Sequence, residues 1–262
     1  MKVRATSIAQ FAVFCLLIGT AGCARTAMRQ SLRFDEWRRS GAEVAVVPPD
    51  VMIEEVGVLG RTRLPQEDGQ VAAAAPAVAE QVLRAAGLLV REGALCRPAT
   101  GDGGACDAEV TQGRRSFGAI EAQLWGSNAM IPEKEALAYR AGLAPPPAAL
   151  SSCAGVAALV FIDVRGWRKS AARVTAEMTG EVALAVLTLG NSKGTGSDPY
   201  GETTASIAIV EAATGEVLWA NRVTRSRGML VGKPEDAVAA CLEPLSQNGK
   251  TPGLKEILFG RR

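Results

Sequence analysis

The sequence predicts an α/β protein built on a single mixed β-sheet flanked by helices, and three observations predict it. Apolar, β-prone runs at 43–47, 88–90 and 156–164 are separated by segments with helical spacing. The 156–164 run is unbroken, as expected of a central strand covered on both faces. Two further β-prone runs, 203–210 and 217–223, flank Ala213-Thr214-Gly215-Glu216, which marks a late β-hairpin.

The elements follow in order. Glu43-Val44-Ala45-Val46-Val47 ends at Pro48-Pro49, so it reads as a buried strand running into a loop. Residues 72–86 form a helix, with Val78, Val82, Leu83 and Ala86 on one face and Gly87 as its stop. Leu88-Leu89-Val90 is a second strand, and 91–112 is a cysteine-bounded loop, read as an insertion. Amphipathic helices are expected around 116–125 and 132–141, and Pro145-Pro146-Pro147 marks a linker. Segment 171–189 carries both helical spacing (Val174, Met178, Val182, Leu189) and local alternation, and is read as a helix. Residues 190–201 form a Gly/Ser/Asn loop, and Pro234 opens a C-terminal helix through Leu245. Trp219 is expected to anchor the hairpin in the core, while Trp125 and Trp167 carry no signal.

The first two dozen residues set the expected location. Lys2 and Arg4 precede an apolar run from Ile8 to Gly19, followed by Thr20-Ala21-Gly22-Cys23. This is an export leader with a lipobox-like end, although Thr20 stands where an aliphatic residue is usual. The run falls short of the roughly 20 apolar residues a membrane span needs. The expected organisation is a signal peptide at 1–22, a lipidated basic tether at 23–40, an α/β domain at 41–249 and a tail at 250–262. Cys23 is the expected lipidation site, with a diacylglyceryl thioether and an acylated amine. Ala24, in place of an acidic residue, points to the periplasmic face of the outer membrane. The inner membrane and the soluble periplasm are the alternatives. Five arginines between Arg25 and Arg39 alternate with Met28, Leu32, Phe34 and Trp37. Such a tether either rests on anionic headgroups or docks its aromatics on the domain.

Composition narrows the chemistry. Removal of Lys2 and Arg4 takes the basic count from 29 to 27, level with the 27 acidic residues, so net charge gives no warrant for nucleic-acid binding. The chain contains no histidine, which excludes Ser-His-Asp and Cys-His centres and the common zinc and haem ligand sets. Glu54 and Glu55 are adjacent on an extended segment and point to opposite faces, so they do not converge as an acid/base pair. Gly194-Thr195-Gly196 lacks phosphate-loop spacing, and Asp102 and Asp107 fit no calcium-loop pattern. No cofactor and no metal are expected. Cys96, Cys106, Cys153 and Cys241 remain as disulfide candidates; of three possible pairings, Cys96–Cys106 with Cys153–Cys241 is preferred.

The leader, the early strand ending Val46-Val47-Pro48-Pro49-Asp50 and the hairpin from Ser206 to Trp219 together resemble a group of bacterial envelope lipoproteins. The group includes the curli-secretion lipoprotein and the lipoprotein activators of penicillin-binding proteins, whose α/β domain is similar to the TolB N-terminal domain. Glu211 stands where the group's hairpin usually has Asp. The resemblance implies a mixed sheet flanked by helices and a non-enzymatic protein anchored to the membrane by lipid. Such a protein binds or helps assemble an envelope complex (a cell-wall synthase, a secretion assembly or a lipid-transport system) and can self-associate. A histidine-free carboxylate hydrolase and an oligomeric export-channel component are the rival readings.

Overall fold

The computed structural model describes residues 25–93, 103–125, 141–177, 179, 200–227 and 235–247. In these residues the fold is mixed α/β, with one eight-stranded sheet, a late hairpin and a C-terminal helix. The strands are β1 (Arg25–Gln30), β2 (Glu43–Val46), β3 (Asp50–Val56), β4 (Arg61–Arg63), β5 (Leu89–Val90), β6 (Ala158–Lys169), β7 (Gly201–Glu211) and β8 (Val217–Arg227). The helices are α1 (Phe34–Arg39), α2 (Pro65–Ala85), α3 (Gly103–Trp125), α4 (Ala148–Ala154) and α5 (Glu235–Gln247), and residues 171–177 are also helical.

β6 organises the sheet. Its order is β1-β8-β7-β6-β2-β5. β2 runs parallel to the first part of β6 and β3 to the rest, so the Pro48-Pro49 break interrupts what is in effect one long partner strand. β7 and β8 add antiparallel, and β1 completes that edge antiparallel to β8. The expected continuous apolar strand is central, with Leu159, Val160, Phe161 and Val164 all buried.

Side chains on the two faces of the sheet form two apolar layers. On the first face Val160, Ile162, Val164, Ile207, Ile209 and Trp219 share a cluster with Val71, Ala75, Ala79, Val82 and Leu83 of α2 and with Val238, Leu242 and Leu245 of α5. On the second face Leu159, Phe161, Ala208, Val210 and Ala220 share a cluster with Val110, Phe117, Ile120 and Leu124 of α3 and Leu150 of α4. α2 starts at Pro65, where a missing N–H costs nothing. It ends in a Schellman turn: Leu88 N–H donates to Leu83 O (3.0 Å) and Gly87 N–H to Arg84 O (2.9 Å). Gly87 supplies the positive φ of 83° that this turn requires.

The hairpin turn between β7 and β8 is tied into the rest of the chain. Thr214 Oγ1 donates to Glu211 Oε2 (2.6 Å) and accepts from Glu216 N–H (3.1 Å). Glu216 in turn accepts Ser31 Oγ (2.6 Å) and Arg33 Nη1 (2.8 Å). The Thr-Gly-Glu turn is therefore a latch for the segment that joins β1 to α1.

Several expectations are corrected. Segment 25–40 is built into the domain: β1 is an edge strand, and α1 buries Phe34 and Trp37. The aromatics dock because their apolar area is worth more in the α2–α5 layer than in water. Helix α3 begins at Gly103, inside the expected 91–112 loop. Pro145-Pro146-Pro147 follows the buried Leu143 and leads directly into α4, so it is not a linker. The Cys153–Cys241 bridge is absent. Cys241 lies in the first-face layer, whereas Cys153 sits on α4 over the second face, so the sheet separates them. Cys106 lies in α3 with its side chain outside the described residues, and Cys96 lies outside them altogether, as does the leader with Cys23. Of the expected helix 171–189, residues 171–177 are helical and most of the remainder lies outside the described residues, as do segment 191–199 and most of the expected helix 132–141.

Candidate functional site

The second face of the sheet changes character between adjacent rows of side chains. One row, Phe161, Ala208 and Ala220, is apolar and covered by α3. The closeness of that cover is set by Gly113, where a Cβ would stand 3.0 Å from Phe161 Cε1. The next row across four strands reads Asp50, Asp163, Ser206 and Arg222, and the row beyond it Met52, Arg165, Thr204 and Thr224. A polar half-face thus begins one row beyond Phe161, beside the C-terminal end of α3, whose Trp125 reaches Arg222.

Asp163 is the centre of this half-face. It is only 4% exposed, and its carboxylate accepts from Arg165 through Nε (2.9 Å) and Nη2 (2.5 Å). The same Nη2 donates to Asp50 Oδ2 (2.5 Å), whose side chain is half-exposed. One guanidinium therefore bridges a buried and an exposed carboxylate. Around them, Thr204 and Thr224 share a hydroxyl hydrogen bond (2.9 Å), and the Arg222 guanidinium lies 5.7 Å from the Trp125 ring centroid. Arg114 of α3 donates to Pro48 O (2.7 Å), fixing the helix against the β2–β3 break.

Burial pushes the Asp163 carboxyl up from 3.8 to about 6; the field of Glu121 on α3 and that of Asp50 act in the same direction, while Arg165 opposes them. The raised value favours the folded state most when Asp163 is protonated. Its stabilisation is present below pH about 4 and is lost as pH rises through about 6. A shift of this size corresponds to about 3 kcal/mol. Asp163→Asn is expected to remove that slope: urea denaturation at several pH values gives a wild-type stability that falls, relative to the variant's, between pH about 4 and 6.

Of the sequence-predicted site residues, Cys23, Cys96 and the side chain of Cys106 lie outside the described residues, and Cys241 does not join this cluster. Cys241 is fully buried on the other face, its thiol donating to Asn221 O (3.0 Å), and burial pushes its pKa far up, so it is held protonated. Glu54 and Glu55 diverge as expected, pairing with Arg61 (3.0 Å) and Arg168 (3.5 Å) respectively. Among the described residues no group of His, Cys, Asp or Glu side chains is arranged to hold a metal ion, and no helix is long and apolar enough to cross a membrane. The polar half-face was missed by sequence reasoning. Its one legible signal was Asp163 inside an otherwise apolar strand, followed two residues later by Arg165.

No protein-family model matches the sequence, and no curated protein matches it. Among solved structures it is similar to the PelC dodecamer from Paraburkholderia phytofirmans, at 14% identity over 86% of this chain and 99% of that one, with a TM-score of 0.32. A leucine-to-methionine variant of the same dodecamer gives 14% identity, 86% and 96% coverage and a TM-score of 0.33. Lipoprotein GNA1162 from Neisseria meningitidis gives 16% identity, 73% and 84% coverage and a TM-score of 0.30. These likenesses are distant.

Proposed function

We propose that the chain is a lipid-anchored envelope protein without catalytic activity that binds or helps assemble an envelope protein complex, held at Cys23 on the periplasmic face of the outer membrane. The observation that carries the reading is the polar half-face of the sheet around Asp163 and Arg165, beside an apolar layer and the Arg222–Trp125 stack. Arginine and tryptophan beside fixed carboxylates suit protein recognition, where Arg and aromatic side chains carry much of the binding energy. Catalysis is disfavoured by the chemistry of the same cluster: its one carboxyl of raised pKa is committed to Arg165, and the chain has no histidine to act with it.

The leader and Cys23 supply the location. Self-association is a second reading, favoured by the outer edge of β1, which has no strand partner among the described residues and offers its backbone for pairing. Crosslinking in intact cells, followed by purification of the tagged chain and mass spectrometry, tests both. Reproducible partner adducts that are lost from an Arg165→Glu, Arg222→Glu chain support the adaptor, and self-adducts through β1 support the second reading. A chain with neither overturns both.

A further inference from the structure

We propose that the tip of the β3–β4 hairpin, Val58-Leu59, is seated in the lipid surface to which Cys23 ties the chain; the inference rests on the anchor reading given above. The argument begins with register. Arg25, the first residue of β1, pairs with Thr224 near the end of β8, and Arg227 pairs with Gly201 at the start of β7. Gly201 pairs with Arg168 near the end of β6, and Lys169 pairs with Val56, the last residue of β3. The chain therefore enters the sheet at the same end from which the β3–β4 hairpin projects. β1 and β3 are four strand spacings apart in that sheet, about 19 Å.

The reach of the anchor is short. Cys23 precedes Arg25 by two residues, so their Cα atoms are separated by no more than about 7 Å. A lipid on Cys23 thus brings this end of the sheet down onto the headgroups, with no tether to hold it away. The hairpin is braced there: Gly57 N–H donates to Gly60 O (2.7 Å), Ser170 N–H to Val56 O (3.1 Å) and Arg173 Nη1 to Gly57 O (3.4 Å). At its tip Val58 is 63% exposed and Leu59 fully exposed. Among the described residues the other exposed large apolar side chains are Leu32 and Leu89, at the opposite end beside the end of β1 and the start of β2, and Met28, midway along β1.

Charge does not seat the hairpin itself. Arg61, Arg63, Arg168 and Arg173, which surround it, are each paired with a carboxylate, on Glu54, Asp68, Glu67 and Glu177, while Arg25, Arg225 and Arg227 lie at the same end but on β1 and β8, away from the tip. The apolar pair does the seating, so the contact withstands salt. Two side chains fall far short of the roughly 800 Å² per partner of a stable protein interface, which favours lipid over a protein occupant.

The test places photoreactive benzoylphenylalanine at position 59 or position 89 of the full chain, irradiates the isolated membranes, and reads adducts and the Cys23 peptide by mass spectrometry. Phospholipid adducts at 59, retained after a high-salt wash and absent at 89, are the expected result. An acylated Cys23 with protein adducts, or none, at 59 overturns the proposal alone. An unmodified Cys23 overturns the anchor reading and the proposal with it.

Discussion

Trp219→Ala is expected to lower the stability of the domain by about 3–5 kcal/mol, seen as a lower urea midpoint at an unchanged denaturant slope. Trp219 is 1% exposed, faces the α2–α5 layer and pairs with Ile209 on one side and Gln30 on the other. Its loss opens a cavity where the hairpin, the edge strand β1 and α5 meet. The local structure resists collapse because α5 is fixed to β8 through Asn221, which donates to Cys241 O (2.7 Å) while accepting from Arg222 N–H (2.9 Å). A loss of this size is a large part of the roughly 5–15 kcal/mol that holds a typical domain folded. A change under about 1 kcal/mol would contradict the placement of Trp219 at this junction.

Loss of the lipid is expected to have the larger effect on location. A chain with Cys23→Ser, exported on the leader of a soluble protein, is expected to move from the membrane pellet to the soluble periplasmic fraction. Each buried methylene of an acyl chain contributes about 0.8 kcal/mol, so two or three chains hold the protein essentially permanently. The hairpin tip cannot substitute: Val58 and Leu59 together offer at most about 3–6 kcal/mol when fully buried, which gives only millimolar to tens-of-micromolar binding. Retention of the variant in the pellet would show that some other contact carries the attachment.

Periodicity made the interior of this fold legible. β6 and the β7–β8 hairpin stand where unbroken or alternating apolar runs predict them, because those residues are buried and their burial dictates their type. β1 was illegible for the opposite reason. Arg-Thr-Ala-Met-Arg-Gln has no alternation of its own and is a strand because β8 offers it a ladder. β3 was obscured by the proline pair before it and by Glu54 and Glu55 within it, since charged residues near a sheet end look like loop. The Cys153–Cys241 pair was misread because spacing along a chain carries no information about which side of a sheet each thiol occupies. Asp163 was hidden in the strongest strand signal of the sequence, where one carboxylate among apolar residues does not reveal that Arg165 and Asp50 meet it in space.

The most direct measurement is the intact mass of the N-terminal peptide of the protein purified from the membranes of its own cells. The account predicts a chain that begins at Cys23, with a diacylglyceryl group on sulfur and a fatty acyl group on its amine. A chain that begins elsewhere, or one with an unmodified Cys23 thiol, contradicts it.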